Sequence, residues 1–382
     1  MTPFSDPIHV TRPLLPPLDA VTERLRDVWA SQWLTNGGVQ HEALESALRA
    51  HLGVAQLSLF NNGTIALLAA VRALGLRGSV VTTPFTFPAT PHSLAWGGVE
   101  PIFCDVDPVT MTLDPARAAE AIRPDTTGIL GVHVFGLPCD VEGIAALAAD
   151  RGLSVLYDAA HAFGTRVGGR PIGTFGDVTM YSFHATKLFH TAEGGALACA
   201  DASLKTTIDH LKNFGILNQE EVGAIGINGK MSELQAALGL AVLDLVEVET
   251  ARRRAVDARY RQGLAGVEGL TLPPEPAGVD SSYQYFVVRI DAARFGATRD
   301  AVQAELKQFN VFTRKYFFPL CSSYPCYRDL PSASADRLPV AHRIVDEVLC
   351  LPIYGTLPLE AVDRICGMVA SIQRTAREVP RG

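Results

Sequence analysis

The chain has 382 residues, a net charge of -7 at pH 7 and a hydrophobic fraction of 48%. The length favours two domains, and the apolar content excludes disorder as the main state. The acidic balance argues against nucleic acid and anionic membranes as partners. No apolar run approaches the about 20 residues that span a bilayer, and the first residues lack the pattern of a secretory signal, so we expect a cytoplasmic protein.

The seven cysteines are scattered along the chain and form no Cys-x-x-Cys pair. Neither a zinc ribbon nor a redox dithiol is therefore predicted, and no other metal site is predicted either. We expect reduced, mostly buried thiols, as is typical of a cytoplasmic protein.

The N-terminal stretch is rich in proline up to about Pro17 and is predicted to form an extended arm. Apolar residues then recur at helical spacing over residues 19–32 and 40–52. The sequence Thr-Asn-Gly-Gly at residues 35–38 separates these two predicted helices, because asparagine and glycine favour turns.

From about residue 55, short apolar runs alternate with segments of helical length. The predicted strands are 79–83, 101–104, 128–132, 154–157, 178–182 and 196–199, and the predicted helices are 65–74, 115–122 and 141–151. The strands are almost entirely apolar, as expected when both faces of a sheet are buried. The alternation predicts a mostly parallel α/β sheet, whose ligands bind at the carboxyl ends of the strands.

A long helical pattern begins at Ser232, which forms a predicted capping box with Gln235, and continues to about Gly263. Its length suggests a helix that links two domains. A smaller α+β domain follows, with a strand over 283–290 and helices over 298–309, 340–347 and 359–377. We therefore predict an N-terminal arm and large domain at 1–240, and a linking helix and small domain at 241–382.

The segment 57–64 is a short apolar strand that ends in a glycine-containing turn and opens a helix at Thr64. A helix N-terminus offers free N–H groups and a favourable dipole to a phosphate group, and the Thr64 hydroxyl could donate to the same anion. Taken alone, this segment is explained more simply by an ordinary N-cap threonine. The lysine and spacing of a P-loop are missing.

Asp158 directly follows the apolar strand Ser-Val-Leu-Tyr at residues 154–157. A carboxylate at the end of a buried strand needs a partner. The protonated ring nitrogen of pyridoxal phosphate (PLP) is one such partner, and a helix terminus is another. His161 lies three residues further on and could reach the same pocket or be an ordinary loop histidine.

Lys187 follows the predicted strand 178–182 and is the first lysine in the chain. A partly desolvated lysine has a lowered pKa and can form a Schiff base with a carbonyl group. Ser182, at the end of the same strand, is a candidate phosphate ligand. Phe87 follows the strand 79–83 and could stack on a flat cofactor ring, with core packing as the alternative.

Taken together and in this order, these segments resemble the DegT/DnrJ/EryC1/StrS family of sugar-nucleotide aminotransferases. The matching segments are NNGTIALLAA (61–70), TTPFTFPAT (82–90), IFCDVD (102–107), YDAAHAFG (157–164), YSFHATK (181–187), EGGA (193–196) and NGKMSELQAALG (228–239). The resemblance covers nearly the whole chain. It implies an α/β fold of the fold-type I PLP-dependent aminotransferases, with a seven-stranded, mostly parallel sheet and a small C-terminal α+β domain.

The resemblance also implies roles for the residues at the matching positions. Lys187 carries the cofactor as a Schiff base, and Asp158 pairs with the pyridine nitrogen. His161 stands near the phenolic oxygen of the cofactor, and Phe87 stacks on the ring.

The phosphate contacts implied by the resemblance come from two subunits. Gly63, Thr64 and Ser182 hold the phosphate from one subunit, and Asn228 reaches it from the other. The resemblance therefore implies a homodimer with shared active sites. Lys230 stands where many members of the family have arginine.

A small branch of the family consists of dehydratases with histidine in place of the lysine. Because Lys187 is present, transamination is expected. The resemblance implies glutamate as amino donor, a nucleotide-linked keto sugar as acceptor, and PLP that alternates with pyridoxamine phosphate.

The segments 33–38, 59–64 and 314–333 are most similar to the branch that forms dTDP-4-amino-4,6-dideoxyglucose from dTDP-4-keto-6-deoxyglucose. An aminotransferase for a 3-keto sugar nucleotide and another PLP enzyme, such as a sugar dehydratase, are the alternatives. Tyr316 and Tyr324 are candidate contacts to the sugar or nucleotide, since aromatic hydroxyls suit such clefts, and an ordinary core or surface tyrosine is the alternative for each. His184, which flanks Lys187, is a further candidate in the substrate site.

Overall fold

A seven-stranded sheet lies at the centre of the structure, a computed structural model that describes residues 2–378. The strands of the described chain are β1 Ile8–His9, β2 Gln56–Phe60, β3 Ser79–Thr82, β4 Glu100–Phe103, β5 Thr126–Val132, β6 Ser154–Asp158, β7 Arg166–Val167, β8 Arg170–Pro171, β9 Val178–Ser182, β10 Gly195–Cys199, β11 Leu270–Thr271, β12 Val279–Asp280, β13 Phe286–Ile290, β14 Val311–Phe312 and β15 Val348–Leu351.

Helices cover both faces of this sheet and alternate with short strands in the C-terminal part of the chain. They are α1 Leu18–Ser31, α2 Val39–Leu52, α3 Gly63–Ala73, α4 Ala89–Trp96, α5 Pro115–Ala121, α6 Val141–Arg151, α7 Ala202–Leu211, α8 Glu233–Leu243, α9 Val246–Leu264, α10 Ala292–Phe295, α11 Arg299–Gln308, α12 Pro339–Glu347 and α13 Leu359–Glu378. Within the part of the chain described, none of them is long and apolar enough to cross a membrane.

The central sheet is mostly parallel. Its strands lie in the order β2-β10-β9-β6-β5-β3-β4. Strand β10 is antiparallel to both of its neighbours, β2 and β9, whereas the other four pairs are parallel. The prediction of a seven-stranded, mostly parallel α/β fold is therefore confirmed.

Alternate residues of the central strands enter two separate cores. In β6, Leu156 packs in one core, and its neighbours Val155 and Tyr157 pack in the other. Helices α3, α4 and α7 cover the first face, and α2, α5, α6 and α8 cover the second. Because both faces are buried, the strands carry few polar residues.

The long helix predicted from Ser232 to about Gly263 is interrupted, so this prediction is wrong in one respect. The predicted capping box is present at the start of α8. A turn at Asp244 and Leu245 separates α8 from α9. No glycine or proline marks this turn in the sequence. Val246 still packs in the core under the large sheet, and the turn directs the rest of α9 into the C-terminal core.

The C-terminal part has its own core around a three-stranded antiparallel sheet in the order β11-β13-β15. Helices α9, α11 and α13 pack on this sheet. The N-terminal arm also packs here, since Phe4 contacts this core and β1 pairs in parallel with β14. That pairing was not predicted from the sequence.

The predicted division of the chain into residues 1–240 and 241–382 remains a prediction, and its boundary falls inside α8. We propose that the turn at residues 244–245 is the better boundary, because α8 packs with the large sheet and most of α9 packs with the C-terminal core. Residue 1 and residues 379–382 lie outside the described residues.

Candidate active site

A cavity of about 660 Å³ opens at the carboxyl ends of β2, β6 and β9, where strand-end ligands were expected. Most of the predicted site residues line it together, although they lie far apart in the sequence. They are Gly63, Thr64, Phe87, Asp158, His161, Ser182, His184, Lys187 and Tyr316. The predicted residues Asn228 and Tyr324 do not line it.

Asp158 is the last residue of β6 and is buried. One carboxylate oxygen accepts a hydrogen bond from the Thr90 hydroxyl (2.8 Å), and the other accepts from the backbone N–H of Ala160 (3.0 Å). Burial raises the pKa of Asp158, while these hydrogen bonds and the charge of Lys187 oppose the rise. A buried carboxylate with a cation nearby is suited to pairing with a protonated ring nitrogen.

Thr90, in the first turn of α4, was not identified from the sequence. Its hydroxyl has one proton, which it donates to Asp158, so the Thr86 hydroxyl at 2.8 Å must donate to the Thr90 oxygen. The two threonines form a short buried chain of hydrogen bonds that keeps the Asp158 carboxylate in place. Both threonines stand in the segment Thr-Phe-Pro-Ala-Thr at residues 86–90, but only the fold brings the Thr90 hydroxyl beside Asp158.

Lys187 lies in the loop after β9 and is held by an amide from the C-terminal part of the chain. The Gln284 side chain accepts a hydrogen bond from the backbone N–H of Leu188 (2.6 Å) and donates one to the carbonyl of Thr186 (3.0 Å). Burial lowers the pKa of Lys187 to about 8, Asp158 raises it, and the charge of Arg314 lowers it. About a tenth of the amine is therefore neutral and nucleophilic at pH 7, far more than for an ordinary lysine.

His161 is buried and packed between aromatic rings. Its ring stacks with Phe317 at a centroid distance of 5.8 Å and meets the Tyr285 ring edge-on at 4.8 Å. Nδ1 accepts a hydrogen bond from the backbone N–H of Phe135 (3.1 Å), so the neutral ring carries its proton on Nε2. Burial lowers the pKa of His161 well below its usual range, and the charge of Lys187 lowers it further.

The N-terminus of α3, where strand β2 ends, has the donor groups that could hold a phosphate group. The helix begins at Gly63, and its N-cap is Asn62, whose side chain accepts from the backbone N–H of Ile65 (2.8 Å). Thr64 is therefore not the N-cap, and it lines the cavity together with Ser182. A Cβ atom on Gly63 would lie 3.2 Å from Ser182 Cβ, so glycine lets the two segments approach closely.

Phe87 and His184 occupy the exposed side of the cavity. The Phe87 side chain is 54% exposed, so it does not pack in a core and offers a free aromatic face. The His184 ring lies 2.8 Å from the Thr186 hydroxyl through Nδ1 and 3.7 Å from the Glu193 carboxylate through Nε2.

The two predicted residues outside the cavity have other contacts. Asn228 accepts a hydrogen bond from Lys230 Nζ (3.0 Å), on a segment that follows α7. The Tyr324 ring lies 6.5 Å from the His92 ring, beside α4. The loop that carries Tyr324 is folded back toward α4, which is why the structure does not bring this residue to the cavity as expected.

Several cavity residues were not identified from the sequence: Asn62, Thr86, Thr186, Glu193, Tyr285, Arg314 and Phe317. Arg314 and Phe317 belong to the segment 314–333, which is similar to one branch of the family named above, but the sequence suggested no role for either residue. Tyr285 precedes β13 and gave no signal at all, because its place beside Lys187 depends on how the C-terminal part packs on the large sheet.

The fold, with Lys187 and Asp158 lining one cavity at the ends of two adjacent strands, defines the class of fold-type I PLP-dependent aminotransferases. More particularly, the chain belongs to the DegT/DnrJ/EryC1/StrS aminotransferase family, whose family model matches residues 19–370. Members of this family are PLP-dependent. The resemblance inferred from the sequence motifs is thereby confirmed.

Individual relatives cover almost the whole chain. The dTDP-4-amino-4,6-dideoxy-D-glucose transaminase of Escherichia coli is 44% identical over 361 residues, which cover 94% of this chain and 96% of that protein. The transaminase of the same name from Shigella dysenteriae is 41% identical, covering 96% and 99%. The crystal structure of DesI in the presence of its TDP-sugar product matches with a TM-score of 0.94 and 37% identity, covering 99% of this chain and 96% of DesI.

Proposed function

We propose that this protein transfers an amino group from glutamate to dTDP-4-keto-6-deoxyglucose and so forms dTDP-4-amino-4,6-dideoxyglucose, with PLP as cofactor. The observation that carries the proposal is the cavity in which Lys187 faces Asp158 beside a helix N-terminus. The identity of 44% to a transaminase named for this product supports the choice of sugar.

The residues of the cavity fit PLP. Gly63, Thr64 and Ser182 provide N–H and hydroxyl donors for a phosphate, and Phe87 offers an aromatic face for a planar ring. Asp158 is placed to hold a pyridinium proton. When bound, PLP supplies the electron sink that makes the proton on the carbon beside the nitrogen acidic.

Lys187 is the proton carrier of the proposed reaction. With a pKa of about 8, its amine can accept the proton from the α-carbon of glutamate and later deliver a proton to C4 of the sugar. Gln284 holds the loop on both sides of this residue, which limits the positions that the amine can take. The neutral His161 can donate one hydrogen bond through Nε2 without bringing a positive charge.

The test follows both halves of the reaction in the purified protein. We expect the absorption of bound PLP to change to that of pyridoxamine phosphate with glutamate, and to return with the 4-keto sugar nucleotide. A panel that includes 3-keto sugar nucleotides checks the position of amination. Lys187→Ala should abolish both halves, while the variant Lys307→Ala, at an exposed residue of α11, should retain them. If glutamate does not convert the bound PLP to pyridoxamine phosphate, transamination is refuted. A sugar product that has lost a hydroxyl group and gained no amine would indicate a dehydratase.

We further propose a homodimer in which Asn228 completes the phosphate site of the partner subunit. Supporting this, Asn228 lies outside the cavity of its own chain, and the segment around it exposes apolar side chains, among them Phe214, Val222 and Ile225. Mixing Lys187→Ala with Asn228→Ala subunits should restore part of the activity, because one site of the mixed dimer would be intact. No restoration in verified mixed dimers would contradict shared sites.

We propose that the protein acts in the cytoplasm. All seven cysteines lie within the described residues and are free, six of them buried, as predicted from the sequence. Free thiols in this number support a reducing compartment.

A further inference from the structure

Two cationic side chains of the lysine and arginine type line the active-site cavity within residues 2–378. Lys187 is one, and the proposed reaction requires its amine to be free to carry protons. Arg314 is the other, and nothing in the proposed chemistry so far uses it. The amino donor and the sugar nucleotide are both anions, so Arg314 has two candidate ligands in this cavity.

The surroundings of Arg314 fix its backbone and support its head group. One residue, Thr313, separates Arg314 from the end of β14. The backbone of Arg314 exchanges two hydrogen bonds with that of Cys350, of 3.2 and 2.9 Å. The guanidinium carbon lies 4.8 Å from the centre of the Tyr316 ring. Tyr316 in turn donates to the Tyr285 hydroxyl (3.4 Å), and the Tyr285 ring lies 5.9 Å from Lys187 Nζ. Arg314 is thus seated on an aromatic wall that leads to Lys187.

Within the described chain, no carboxylate lies within 4.0 Å of the Arg314 guanidinium, whereas its neighbour in sequence is paired. Lys315 forms an ion pair with Asp300 (3.3 Å) and does not line the cavity. An arginine that faces a ligand cavity with no acidic partner of its own is suited to binding an anion, because its planar fork matches a carboxylate or phosphate.

The position of Arg314 favours one anion. The phosphate of the cofactor belongs to the donor groups at the N-terminus of α3. The diphosphate of the sugar nucleotide is attached to C1, across the sugar ring from the reacting C4. The α-carboxylate of an amino acid, in contrast, is attached to the carbon that reacts and must lie beside Lys187. The charge of Arg314 reaches that amine, since it contributes to the low pKa of Lys187.

We propose that Arg314 binds the α-carboxylate of the amino donor and thereby restricts the donor to α-amino acids. This inference rests on the proposed function. The guanidinium is exposed to solvent at the cavity, so water can solvate it when the sugar nucleotide replaces the donor. One cavity can then serve an anionic donor and a bulky acceptor in turn.

The first test compares Arg314→Gln with the matched control Lys315→Gln in the PLP-loaded protein. For Arg314→Gln, kcat/KM of the glutamate half-reaction should fall about 10- to 100-fold, as expected for a lost charge-assisted pair. The half-reaction of pyridoxamine-loaded protein with the keto sugar nucleotide should change by less than about threefold. Lys315→Gln should leave both halves unchanged. An equal or larger loss in the sugar half would overturn the proposal.

The second test compares glutamate with its α-amide and its γ-amide as donors. The wild type should prefer glutamate over the α-amide, and Arg314→Gln should lose that preference while its response to the γ-amide stays unchanged. An undiminished preference for glutamate over the α-amide would overturn the assignment. If Arg314→Gln fails to retain PLP, the comparison is made with Arg314→Lys, which keeps the charge without the fork and should show an intermediate preference.

The outcome for the wild type separates this proposal from the proposed function. If the wild type fails to convert with any amino donor, the proposed function fails. If the wild type converts with glutamate and the two donor tests give the contradicting result, the proposed function stands and only the role of Arg314 fails.

Discussion

Asp158 and its two threonines show how a few buried atoms prepare this site. Burial raises the pKa of the carboxyl group, and the hydroxyl of Thr90 is one of two hydrogen-bond donors that counteract the rise. An ionised Asp158 is what a ring nitrogen needs if its proton is to be retained. The protonation of this carboxyl group therefore depends in part on Thr90, which does not itself line the cavity.

We predict that Thr90→Val raises the pKa of Asp158, because the carboxylate loses a donor in a buried place. The affinity for PLP and kcat should both fall, kcat by about tenfold, which corresponds to the net value of one hydrogen bond to a charged group. Ser93→Ala is the matched control, since this hydroxyl lies on the same helix and donates to the carbonyl of Thr90. Equal PLP affinity in the two variants would contradict the prediction.

The pKa of Lys187 gives a second prediction at the residue scale. Since burial lowers this pKa to about 8, we expect reductive methylation of the cofactor-free protein to label Lys187 with a midpoint near pH 8. The reaction requires the neutral amine, so labelling rises as pH rises through the pKa. Lys205 is the internal control, because hydrogen bonds and charges from Asp209 and Glu45 raise its pKa. A midpoint of Lys187 near that of Lys205, measured by mass spectrometry, would contradict the prediction.

At the scale of elements, Glu233 joins two helices. It lies in the first turn of α8, is buried, and accepts hydrogen bonds from the backbone N–H groups of Gly38 (3.1 Å), Gln40 (2.7 Å) and His41 (3.0 Å) at the start of α2. The N-cap residue of α2 is Gly38, which has no side chain to satisfy these groups. The carboxylate of one helix thus caps the other.

We predict that Glu233→Ala lowers the free energy of unfolding by about 2 to 4 kcal/mol, because three backbone donors lose their acceptor in a buried place. Glu42→Ala is the control, since Glu42 is exposed in the first turn of α2 and contributes only through the helix dipole, about 0.3 to 1 kcal/mol. Chemical denaturation at one protein concentration measures both. A loss for Glu233→Ala no larger than that for Glu42→Ala would show that the cap is dispensable.

The elements that carry the active site come from both parts of the chain. The strand ends of the large sheet hold Asp158 and Lys187, while the segment around β14 and β15 brings Arg314 and Tyr316. The N-terminal arm connects the two parts, because β1 pairs with β14 and the carbonyl of Leu14 accepts a hydrogen bond from His190, in the loop of Lys187. Packing between the two parts therefore determines the shape of the cavity.

At the scale of the whole molecule, the net charge of -7 contrasts with the anionic ligands of the proposed reaction. The proposed phosphate site uses neutral N–H and hydroxyl donors, and only two lysine or arginine side chains line the cavity among residues 2–378. Binding of the anionic ligands therefore depends on contacts within the cavity, and the overall negative charge of the protein opposes it.

We predict that raising the ionic strength from about 0.01 to 0.15 M changes kcat/KM for the sugar nucleotide by less than about threefold, because salt screens the overall repulsion and the local contacts in similar measure. A protein that attracts its ligand through a basic surface would show a steep fall over this range. Initial rates at several salt concentrations provide the measurement. A tenfold or larger fall would show that exposed cations, rather than the cavity donors, dominate binding.

The sequence by itself determined the alternation of strands and helices, the parallel sheet and most of the residues at its carboxyl edge. Asp158, Ser182 and Lys187 could be predicted because each lies at or just beyond the end of a buried apolar strand, and the pattern of such strands is readable in the sequence. The resemblance of ordered motifs then implied the family and the cofactor, and the comparisons confirmed the family.

Only the tertiary structure decided which distant residues complete the site. Thr90 reaches Asp158, Gln284 holds the loop of Lys187, and Arg314 faces the cavity while Lys315 pairs with Asp300. The same is true of Tyr324, a candidate contact to the sugar or nucleotide, which lies beside His92 and does not line the cavity. Local periodicity reports which face of an element is buried, whereas contacts between residues about a hundred positions apart depend on how the elements pack.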